Sequence, residues 1–473
     1  MSIRKQIPSQ TPIPSKKIRS YSEVIEYLNE HWYMNHSSKT LDRVKQLDAA
    51  LGYPSQKVPA LLVAGTNGKS ITIHLAAKLL REEGLKVGTF SSPHLLSYNE
   101  RISFNLDPIA NKTFTDIGND VINAAESLGI EAYSFELLTI MALLFFESKK
   151  VDVALLEASE GGMYSAVNIC HALVATITRV TPHNVNVKEK DISALVEELM
   201  GIVKKETWLV SGDQNKANLE QMQRLTEAHG GYWAMPIRKL APLAYPFEQL
   251  HGRCAALAER IAQLFMEKHY NKNAIITSDS LLSRKKVKRG RPTIDDKRKA
   301  ELHPRKTTDQ FWKDVLNELP GRFELLEKES PCVVLDTSSN LDAFENILLG
   351  IRLLHYKKPL KGFALVMAAS ENTLHSEEFL KLIRYFFKKT SGQLFICPLE
   401  CSLPGTREEQ SWNIEQVTND IKSMKVKARA YDSFAQAFEA AKQVVDAKEG
   451  LICLTGSRSI VAAYWNYQNT KKA

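Results

Sequence analysis

Apolar runs of strand length alternate with amphipathic stretches of helix length along most of this chain. ALLVAG precedes SITIHLAAKLLREEG and KVGTF, and the later runs VDVALLE, ALVATIT and TWLVSG are again separated by longer stretches. A repeated order of strand, helix and strand is typical of a parallel sheet that is covered by helices. We therefore predict an α/β fold.

One segment interrupts this alternation and divides the chain. SRKKVKRGRPTIDDKRKAE, from about Ser283 to Glu301, contains almost no apolar residues and is typical of an exposed linker. A second alternating series, from CVVLD to LICLT, predicts a smaller doubly wound α/β domain. A chain of 473 residues exceeds the size of a single hydrophobic core, so two large domains fit. The predicted divisions are a mobile N-terminal arm at 1–17, a central domain at 18–283, a basic linker at 284–319 and a C-terminal domain at 320–473.

The composition is that of an ordinary globular protein, with 44% hydrophobic and 25% charged residues. Its six cysteines contain no CxxC pair and are interpreted as free thiols of a reducing compartment. The N-terminus lacks the apolar stretch of a signal peptide, and the longest apolar runs are too short to cross a bilayer. We expect a cytoplasmic protein with no membrane partner. A net charge of +8 permits nucleic acid or anionic small molecules as partners and does not choose between them.

The strongest chemical signal lies between the first apolar run and the helix that follows it. The segment reads Gly65, Thr66, Asn67, Gly68, Lys69 and Ser70. Two glycines let backbone N–H groups converge on phosphate oxygens, and the helix N-terminus adds partial positive charge. Lys69 is placed to reach the β- and γ-phosphates, and the Ser70 hydroxyl to join a Mg²⁺ shell. The alternative is a tight turn with an incidental lysine, and nucleotide binding is the favoured interpretation.

This loop and the segments after it resemble a known family. VAGTNGKS, followed by KVGTFSSPHLLSYNERI, is similar to the start of folylpolyglutamate synthases and bifunctional dihydrofolate synthases, within the wider Mur ligase family. Similar segments follow in the same order, between about Val58 and Tyr464: SFELLTIMALLFF, VDVALLEASEGG, LPGRFELL, CVVLDTSSN and LTGSRSIVAAY. The resemblance implies a Mur-ligase-like phosphate-loop ATPase domain with a mostly parallel sheet, plus a smaller Rossmann-like α/β C-terminal domain.

The resemblance also implies an activity. In this family the γ-phosphoryl group of ATP passes to a substrate carboxylate, and the amine of glutamate attacks the resulting acyl phosphate to form an amide. Both steps concentrate negative charge, which metal ions, a lysine and backbone donors stabilise. The chain is therefore expected to be a monomeric ligase that adds L-glutamate to a folate or dihydropteroate carboxylate, with ATP and Mg²⁺ as cofactors.

The resemblance implies site residues at matching positions of this sequence. The nucleotide would be bound by the phosphate loop together with Arg322 and Asp336. The implied Mg²⁺ ligands are Ser70, Ser92, Glu157 and His183, and the implied catalytic residues are Lys69 and His183. The implied substrate-binding residues are Ser91, His94, Phe135 and Glu136.

Several of these positions also have a purely structural interpretation. Glu157 ends a strand, where a buried unpaired carboxylate would be costly, and the alternative is a solvated strand-end acid. His183 and Ser92 lie in loops, where a surface histidine and a turn residue are the alternatives. The arginine after Pro-Gly and the aspartate that ends a strand are equally explained as a turn residue and a cap. At the start of a helix, the alternative is that Phe135 packs in the core.

Other positions depart from the family in its chemistry rather than in its scaffold. The family's carbamate-forming lysine is Leu199 here, and Lys204 or Lys205 replaces it only if the helix register differs. Three further polar positions of the family are occupied by Ser165, Ser339 and Cys254. These losses leave open an altered substrate preference, a slow enzyme, or a homologue that binds nucleotide without ligation.

The basic segment carries a hypothesis of its own. It contains KRGRP at 288–292, which reads like the core of an AT-hook, whose arginines enter the minor groove of A·T-rich DNA. The alternative is a solvated linker, which such charge runs usually are, and it is favoured. Glutamate ligation is therefore the first hypothesis, nucleotide binding without ligation the second, and a DNA-associated role the third.

Overall fold

The computed structural model describes most of the chain, with gaps. The described residues are 17–32, 38–159, 161–182, 189–270, 282, 307–315, 319–371, 374–400 and 410–472. The predicted arm, apart from residue 17, and the basic run at 288–292 lie outside the described residues. The predicted domain boundaries therefore stay predictions.

The first sheet confirms the predicted α/β pattern. Its strands are β1 (Ala60–Ala64), β2 (Val87–Phe90), β3 (Ile102–Phe104), β4 (Asp107–Pro108), β5 (Val153–Glu157), β6 (Ala172–Ile177), β7 (Trp208–Ser211) and β8 (Tyr232–Ala234). Across the sheet they follow the order β4-β3-β2-β5-β1-β6-β7-β8. Parallel pairing joins the strands from β2 to β8 in this order, whereas β3 and β4 add an antiparallel edge. Since β1 lies between β5 and β6, the loops that follow these three strands leave the same edge of the sheet side by side.

Helices cover both faces of this sheet. They are α1 (Tyr21–Glu30), α2 (Ser38–Ala50), α3 (Pro54–Lys57), α4 (Lys69–Glu82), α5 (Asn111–Leu128), α6 (Ser134–Lys149), α7 (Glu189–Met200), α8 (Lys216–Ala228) and α9 (Phe247–Phe265). Alternate residues of β1 enter two different cores, as the two-residue period of a strand requires. Leu62 packs in the core that contains α5 and α6, whereas Leu61 and Val63 pack in the core that contains α4 and α9.

A second, mostly parallel sheet forms the C-terminal part, as the second alternating series predicts. After α10 (Thr308–Asp314) come β9 (Glu324–Leu326), β10 (Cys332–Leu335), α11 (Leu341–Lys357), β11 (Phe363–Met367), α12 (Glu377–Lys389), β12 (Gln393–Ile396), α13 (Ile414–Ser423), β13 (Ala428–Ala430), α14 (Phe434–Val444), β14 (Leu451–Thr455) and α15 (Arg458–Lys472). The strand order is β13-β12-β11-β14-β10-β9, and β9 alone of these described strands runs antiparallel to its neighbour.

Helix α9 belongs to the cores of both parts. Its middle and end pack against α4, where Leu257 and Ile261 are buried. Its first turns reach the C-terminal core, in which Leu250 is buried together with Phe323. The rings of Phe247 and Phe323 meet edge to face with their centroids 6.4 Å apart. The two sheets are therefore joined by packing as well as by the chain.

Two further properties concern membranes and thiols. Of the helices in the described ranges, none is both long enough and apolar enough to cross a bilayer. The cysteines within those ranges carry free thiols, namely Cys170, Cys254, Cys332, Cys397 and Cys453.

An ion pair between α2 and α6 yields a prediction about stability. Arg43 Nε donates to Glu136 Oε2 at 2.9 Å, and the Glu136 side chain is only 3% exposed. Replacing Arg43 by methionine leaves this carboxylate buried without its cation, so we expect a loss of about 2–3 kcal/mol in the free energy of unfolding. Urea denaturation monitored by circular dichroism measures the loss.

A second ion pair on the same helix supplies the control. Lys57 Nζ lies 2.6 Å from Glu147 Oε1, but both side chains are largely accessible, at 49% and 32% exposure. The variant Lys57→Met should therefore cost less than about 1 kcal/mol. Equal losses in the two variants would contradict a special role for the buried pair.

Candidate nucleotide site and active site

The loop between β1 and α4 has a backbone that requires glycine at two places. Gly65 has a φ of 127° and Gly68 a φ of 86°, both in the left-handed region. A Cβ on Gly65 would fall 2.3 Å from Thr178 Oγ1 and 2.9 Å from the Arg179 carbonyl oxygen. A Cβ on Gly68 would fall 2.9 Å from the thiol of Cys254. The loop therefore approaches the segment after β6 and helix α9 too closely for any side chain at these positions.

Side chains of the loop hold it in place. Thr66 Oγ1 donates to the Thr181 carbonyl oxygen at 2.9 Å and accepts from the Thr181 backbone N–H at 3.0 Å. The Lys69 ammonium donates to the Gly65 carbonyl oxygen at 2.8 Å. Helix α4 begins at Lys69, and its first turn has no side-chain cap. The loop thus combines a lysine and a helix N-terminus, which is the arrangement that binds phosphate.

Glu157 ends β5 beside this loop, and only 3% of its surface is exposed. Burial raises the pKa of its carboxyl group, and the positive charge of Lys69 opposes this rise. Its Oε2 accepts a hydrogen bond of 3.3 Å from the backbone N–H of Ser92. An ionised carboxylate in such surroundings is costly without a cation close by. The environment of Glu157 therefore favours a metal ligand over a solvated strand-end acid.

The donors around Glu157 fit Mg²⁺. Ser70, Ser92 and Glu157 line the same cleft and offer oxygen atoms, which Mg²⁺ prefers. Among the described residues, no three His, Cys, Asp or Glu side chains cluster as a metal site. Mg²⁺ at nucleotide sites takes one or two carboxylates together with water and substrate phosphates, and Glu157 offers such a carboxylate. His183 lies outside the described residues, so its assignment as a ligand and catalytic residue stays a prediction.

A cleft of about 760 Å³ separates the two parts of the chain. The phosphate loop lines one side, and the segment that follows β10 lines the other, including Asp336 and Ser339. Asp336 Oδ2 accepts the backbone N–H of Phe323 at 2.8 Å, and Oδ1 accepts that of Ser338 at 2.8 Å. Burial raises the pKa of the Asp336 carboxyl group. The guanidinium of Arg322 donates to the Thr337 hydroxyl, so this arginine is fixed to the same segment.

The cleft therefore contains most of the residues that the sequence implies for nucleotide and metal. They are Thr66, Asn67, Gly68, Lys69, Ser70, Ser92, Glu157, Arg322 and Asp336. Gly65 lies directly behind them at the base of the loop.

The four implied substrate-binding residues do not line this cleft. The backbone N–H of Ser91 donates to the Arg101 carbonyl oxygen at 2.8 Å, and buried His94 accepts at Nδ1 from Arg101 Nε at 2.7 Å. The ring of Phe135 packs against Phe90 with centroids 5.4 Å apart, and Glu136 pairs with the arginine of α2 described above. The substrate-binding role of these residues stays a prediction, beside the packing that the structure gives them.

The structure shows what surrounds Leu199, which stands at the family's carbamate position, and the two lysines considered as its replacement. Leu199 is 2% exposed and packs in an apolar core. Lys204 donates from Nζ to the carbonyl oxygens of Asn168 and Cys170 at 2.6 and 2.8 Å, and burial lowers its pKa. Neither Lys204 nor Lys205 lines the cleft. Neither Lys204 nor Lys205 therefore takes the place of the family's carbamate.

Sequence reasoning missed several charged residues of the cleft, among them Arg179 and Asp342. Arg179 follows β6, and its Nη2 lies 2.5 Å from Oδ1 of Asp342 in the first turn of α11. The available signal was the position of Arg179 shortly after a buried strand that ends at Ile177, at the edge of the sheet where the phosphate loop also begins. Asp342 had no such signal, because nothing in the sequence pairs the first turn of α11 with this loop.

The buried carboxylate of Glu157 yields a prediction about pH. A raised pKa means that the folded state binds this proton more tightly than the unfolded state, whose ordinary value is 4.5. The stability of the metal-free protein should therefore fall as the pH rises from 4.5 through the raised pKa. Glu157→Gln removes the cost of ionising this buried carboxyl group. We therefore expect the variant to melt a few degrees above the wild type at pH 8 in EDTA, and at the same temperature as the wild type at pH 4.5.

Melting curves across that pH range, with and without Mg·ATP, provide the measurement. Exposed Glu220, whose side chain is 61% accessible, supplies the control variant Glu220→Gln, which should follow the wild type at each pH. Mg·ATP should stabilise the wild type more than Glu157→Gln. A wild-type protein that gains stability relative to Glu157→Gln as the pH rises would contradict the argument.

The fold and site together define a class of protein. The two mostly parallel sheets with their covering helices have the Mur-ligase-type fold. The Mycobacterium tuberculosis folylpolyglutamate synthase complexed with ADP and AMPPCP has this fold, with a TM-score of 0.73 and 18% sequence identity. That similarity covers 95% of this chain and 99% of the other.

Several curated protein sequences are similar to this chain. The chain is 34% identical over 224 residues to the dihydrofolate synthase/folylpolyglutamate synthase of Bacillus subtilis, which is 46% of this chain and about half, 49%, of that relative. It is 25% identical over 466 residues to the Escherichia coli protein of the same name, with 96% of both chains covered. No protein-family model matches. The chain is thus similar to dihydrofolate synthase/folylpolyglutamate synthases, and it spans about half the length of the B. subtilis relative that it matches.

Proposed function

We propose that this chain is an ATP-dependent ligase that joins L-glutamate to the carboxylate of a folate or dihydropteroate acceptor. The observation that carries the proposal is the cleft, in which a phosphate loop and a buried strand-end glutamate face Arg322 and Asp336 of the C-terminal part. The B. subtilis and E. coli relatives are named for this activity, and the M. tuberculosis neighbour is complexed with ADP and AMPPCP. ATP, Mg²⁺, L-glutamate and a folate-like acid are the proposed ligands.

The residues divide the chemistry between them. The loop amides and the Lys69 ammonium would bind the β- and γ-phosphates and offset the charge that builds up as the γ-phosphoryl group moves to the acceptor carboxylate. Glu157, Ser92, Ser70 and His183 would hold Mg²⁺, which neutralises phosphate charge when bound. Arg322 and Asp336 would bind the nucleotide from the C-terminal side. The glutamate amine then forms the C–N bond at the acyl carbon and loses a proton, while the C–O bond to phosphate breaks and inorganic phosphate leaves.

The geometry of the cleft sets a requirement for turnover. Because contacts to the nucleotide come from both parts of the chain, the site is complete only when the C-terminal part is docked over the phosphate loop. Docking also excludes water, which would otherwise hydrolyse the acyl phosphate.

ADP release by the purified protein tests the proposal. Dihydropteroate and tetrahydrofolate are offered separately with Mg·ATP, each with and without L-glutamate. We expect ADP release that requires both glutamate and one pterin acid. Nucleotide binding without ligation predicts Mg·ATP binding with no such release, and the apolar setting of Leu199 is the observation that favours it. Absence of Mg·ATP binding would overturn both.

Location and assembly are part of the same proposal. We propose a cytoplasmic monomer, and the support for the compartment is that the cysteines are free thiols where the structure describes them, as in a reducing environment. The proposed AT-hook falls on residues outside the described ranges, and DNA association stays a prediction.

A further inference from the structure

Four side chains, two from each part of the chain, form one connected network at the mouth of the phosphate loop. Asn67 and Asn340 exchange amide hydrogen bonds of 3.0 and 2.9 Å. Asn67 Nδ2 also donates to Asp342 Oδ2 at 2.8 Å, and the other oxygen of Asp342 pairs with Arg179 at 2.5 Å. Together, Asn67, Arg179, Asn340 and Asp342 form the interdomain network.

Both ends of the network are anchored in rigid backbone. The Arg179 carbonyl oxygen accepts the Thr66 N–H at 2.7 Å, and its main chain lies against Gly65. On the opposite side, Asn340 is the N-cap of α11, and its Oδ1 also accepts the Ala343 N–H at 3.0 Å. A shift of α11 is therefore passed to the loop that binds phosphate.

The charges in the network matter because of what the cleft receives. Asp342 lines the cleft, and its carboxylate carries the same sign of charge as a nucleotide triphosphate. Arg179 neutralises that carboxylate, and both side chains retain some exposure, at 38% and 19%. Arg253 lines the same region, where burial and the charge of Arg179 lower its pKa. Without Arg179, the Asp342 carboxylate would face the phosphates with less compensation.

We propose that Arg179 and Asp342 are positioning residues of the ligase site, whose ion pair docks the C-terminal part on the phosphate loop and screens Asp342 from the nucleotide phosphates. This inference rests on the proposed function, because docking is measured through turnover. The two residues then have different effects on affinity. Loss of Arg179 exposes the phosphates to a carboxylate and weakens nucleotide binding, whereas loss of the Asp342 charge removes the repulsion. Either loss loosens docking and lowers kcat.

The experiment compares Arg179→Ala, Asp342→Asn and the double variant in the full chain. Calorimetry with Mg²⁺ and the ATP analogue AMPPNP gives Kd, and ADP release gives kcat. Arg179→Ala should raise Kd about fivefold to tenfold, and Asp342→Asn should leave Kd within about twofold of the wild type. Each single variant should lower kcat about fivefold, and the double variant should show the Kd of Asp342→Asn with no further loss of kcat, because the two residues act as one unit.

A remote ion pair supplies the control. Lys216 and Glu220 lie 3.6 Å apart on the surface of α8, so Lys216→Ala should leave Kd and kcat unchanged. Equal increases of Kd in Arg179→Ala and Asp342→Asn would overturn the screening role, and additive losses of kcat would overturn the shared docking role. Wild-type values in all three variants would overturn the whole inference while leaving the proposed function intact. A wild-type protein that neither binds Mg·AMPPNP nor releases ADP would instead remove the proposed function.

Discussion

Replacing Lys69 by alanine is expected to lower ATP turnover by about a hundredfold to a thousandfold and to weaken binding of Mg·ATP. The ammonium of Lys69 now rests on the Gly65 carbonyl oxygen, 2.8 Å away, at the mouth of the loop. No other cation of the loop itself reaches the phosphates, because the remaining loop residues are glycine, threonine, asparagine and serine. ADP release and calorimetric titration measure the two effects.

Arg81, a cation in the last turn of the same helix, supplies the control for Lys69. Its guanidinium donates to the Asn105 carbonyl oxygen at 3.1 Å, away from the cleft. The variant Arg81→Ala should retain wild-type turnover and affinity. If Lys69→Ala kept wild-type affinity for Mg·ATP, the loop would not be a phosphate site and the ligase proposal would fail with it.

Replacing Gly65 by alanine is expected to cost about 3–5 kcal/mol in the free energy of unfolding, or to prevent folding. The backbone there has a φ of 127°, which residues with a side chain rarely adopt. The added Cβ would also lie 2.3 Å from Thr178 Oγ1 and 2.9 Å from a backbone carbonyl oxygen, so the strand-end segment itself would have to move. Urea denaturation measures the loss.

Gly84 supplies a control that separates the strain of a left-handed backbone from the close contacts of the added Cβ. It ends the segment after α4 with a φ of 85°, and nothing lies within 4 Å of a Cβ built on it. The variant Gly84→Ala should therefore introduce backbone strain without a steric clash, and lower the free energy of unfolding by about 1 kcal/mol. A similar cost in both variants would mean that the close approach around Gly65 is relieved by small movements.

The sequence predicted the parts of the molecule that depend on local pattern. Strand and helix alternation identified both sheets, because a parallel strand buried on two faces must be continuously apolar, as β1 is. The phosphate loop was readable because its glycines, lysine and serine are adjacent in the chain. Glu157 was readable because it ends an otherwise apolar strand, and the structure adds its burial.

Features that depend on distant contacts were not predictable. Asn67 and Asp342 are 275 positions apart, and no periodicity brings them together. For Phe135 the sequence left open a substrate contact or a place in the core, and only the contact with Phe90 shows how its ring packs. The pairing of Glu136 with Arg43 was likewise not readable from the sequence. Lys204 does not reach the cleft, because its amine donates to the carbonyl oxygens of Asn168 and Cys170, and no local pattern predicts those contacts.

The sharing of α9 between two cores has a consequence for how this protein can be taken apart. The basic segment divides the sequence, but it does not divide the hydrophobic packing, because Phe247 and Leu250 precede it and contact the C-terminal core. A fragment that stops at the basic segment would remove the contacts of those two side chains with the C-terminal core. The two parts of the chain therefore cannot be exchanged independently. A chimaera that takes its C-terminal part from a relative must also take the first turns of α9 from that relative, so that they fit the second sheet.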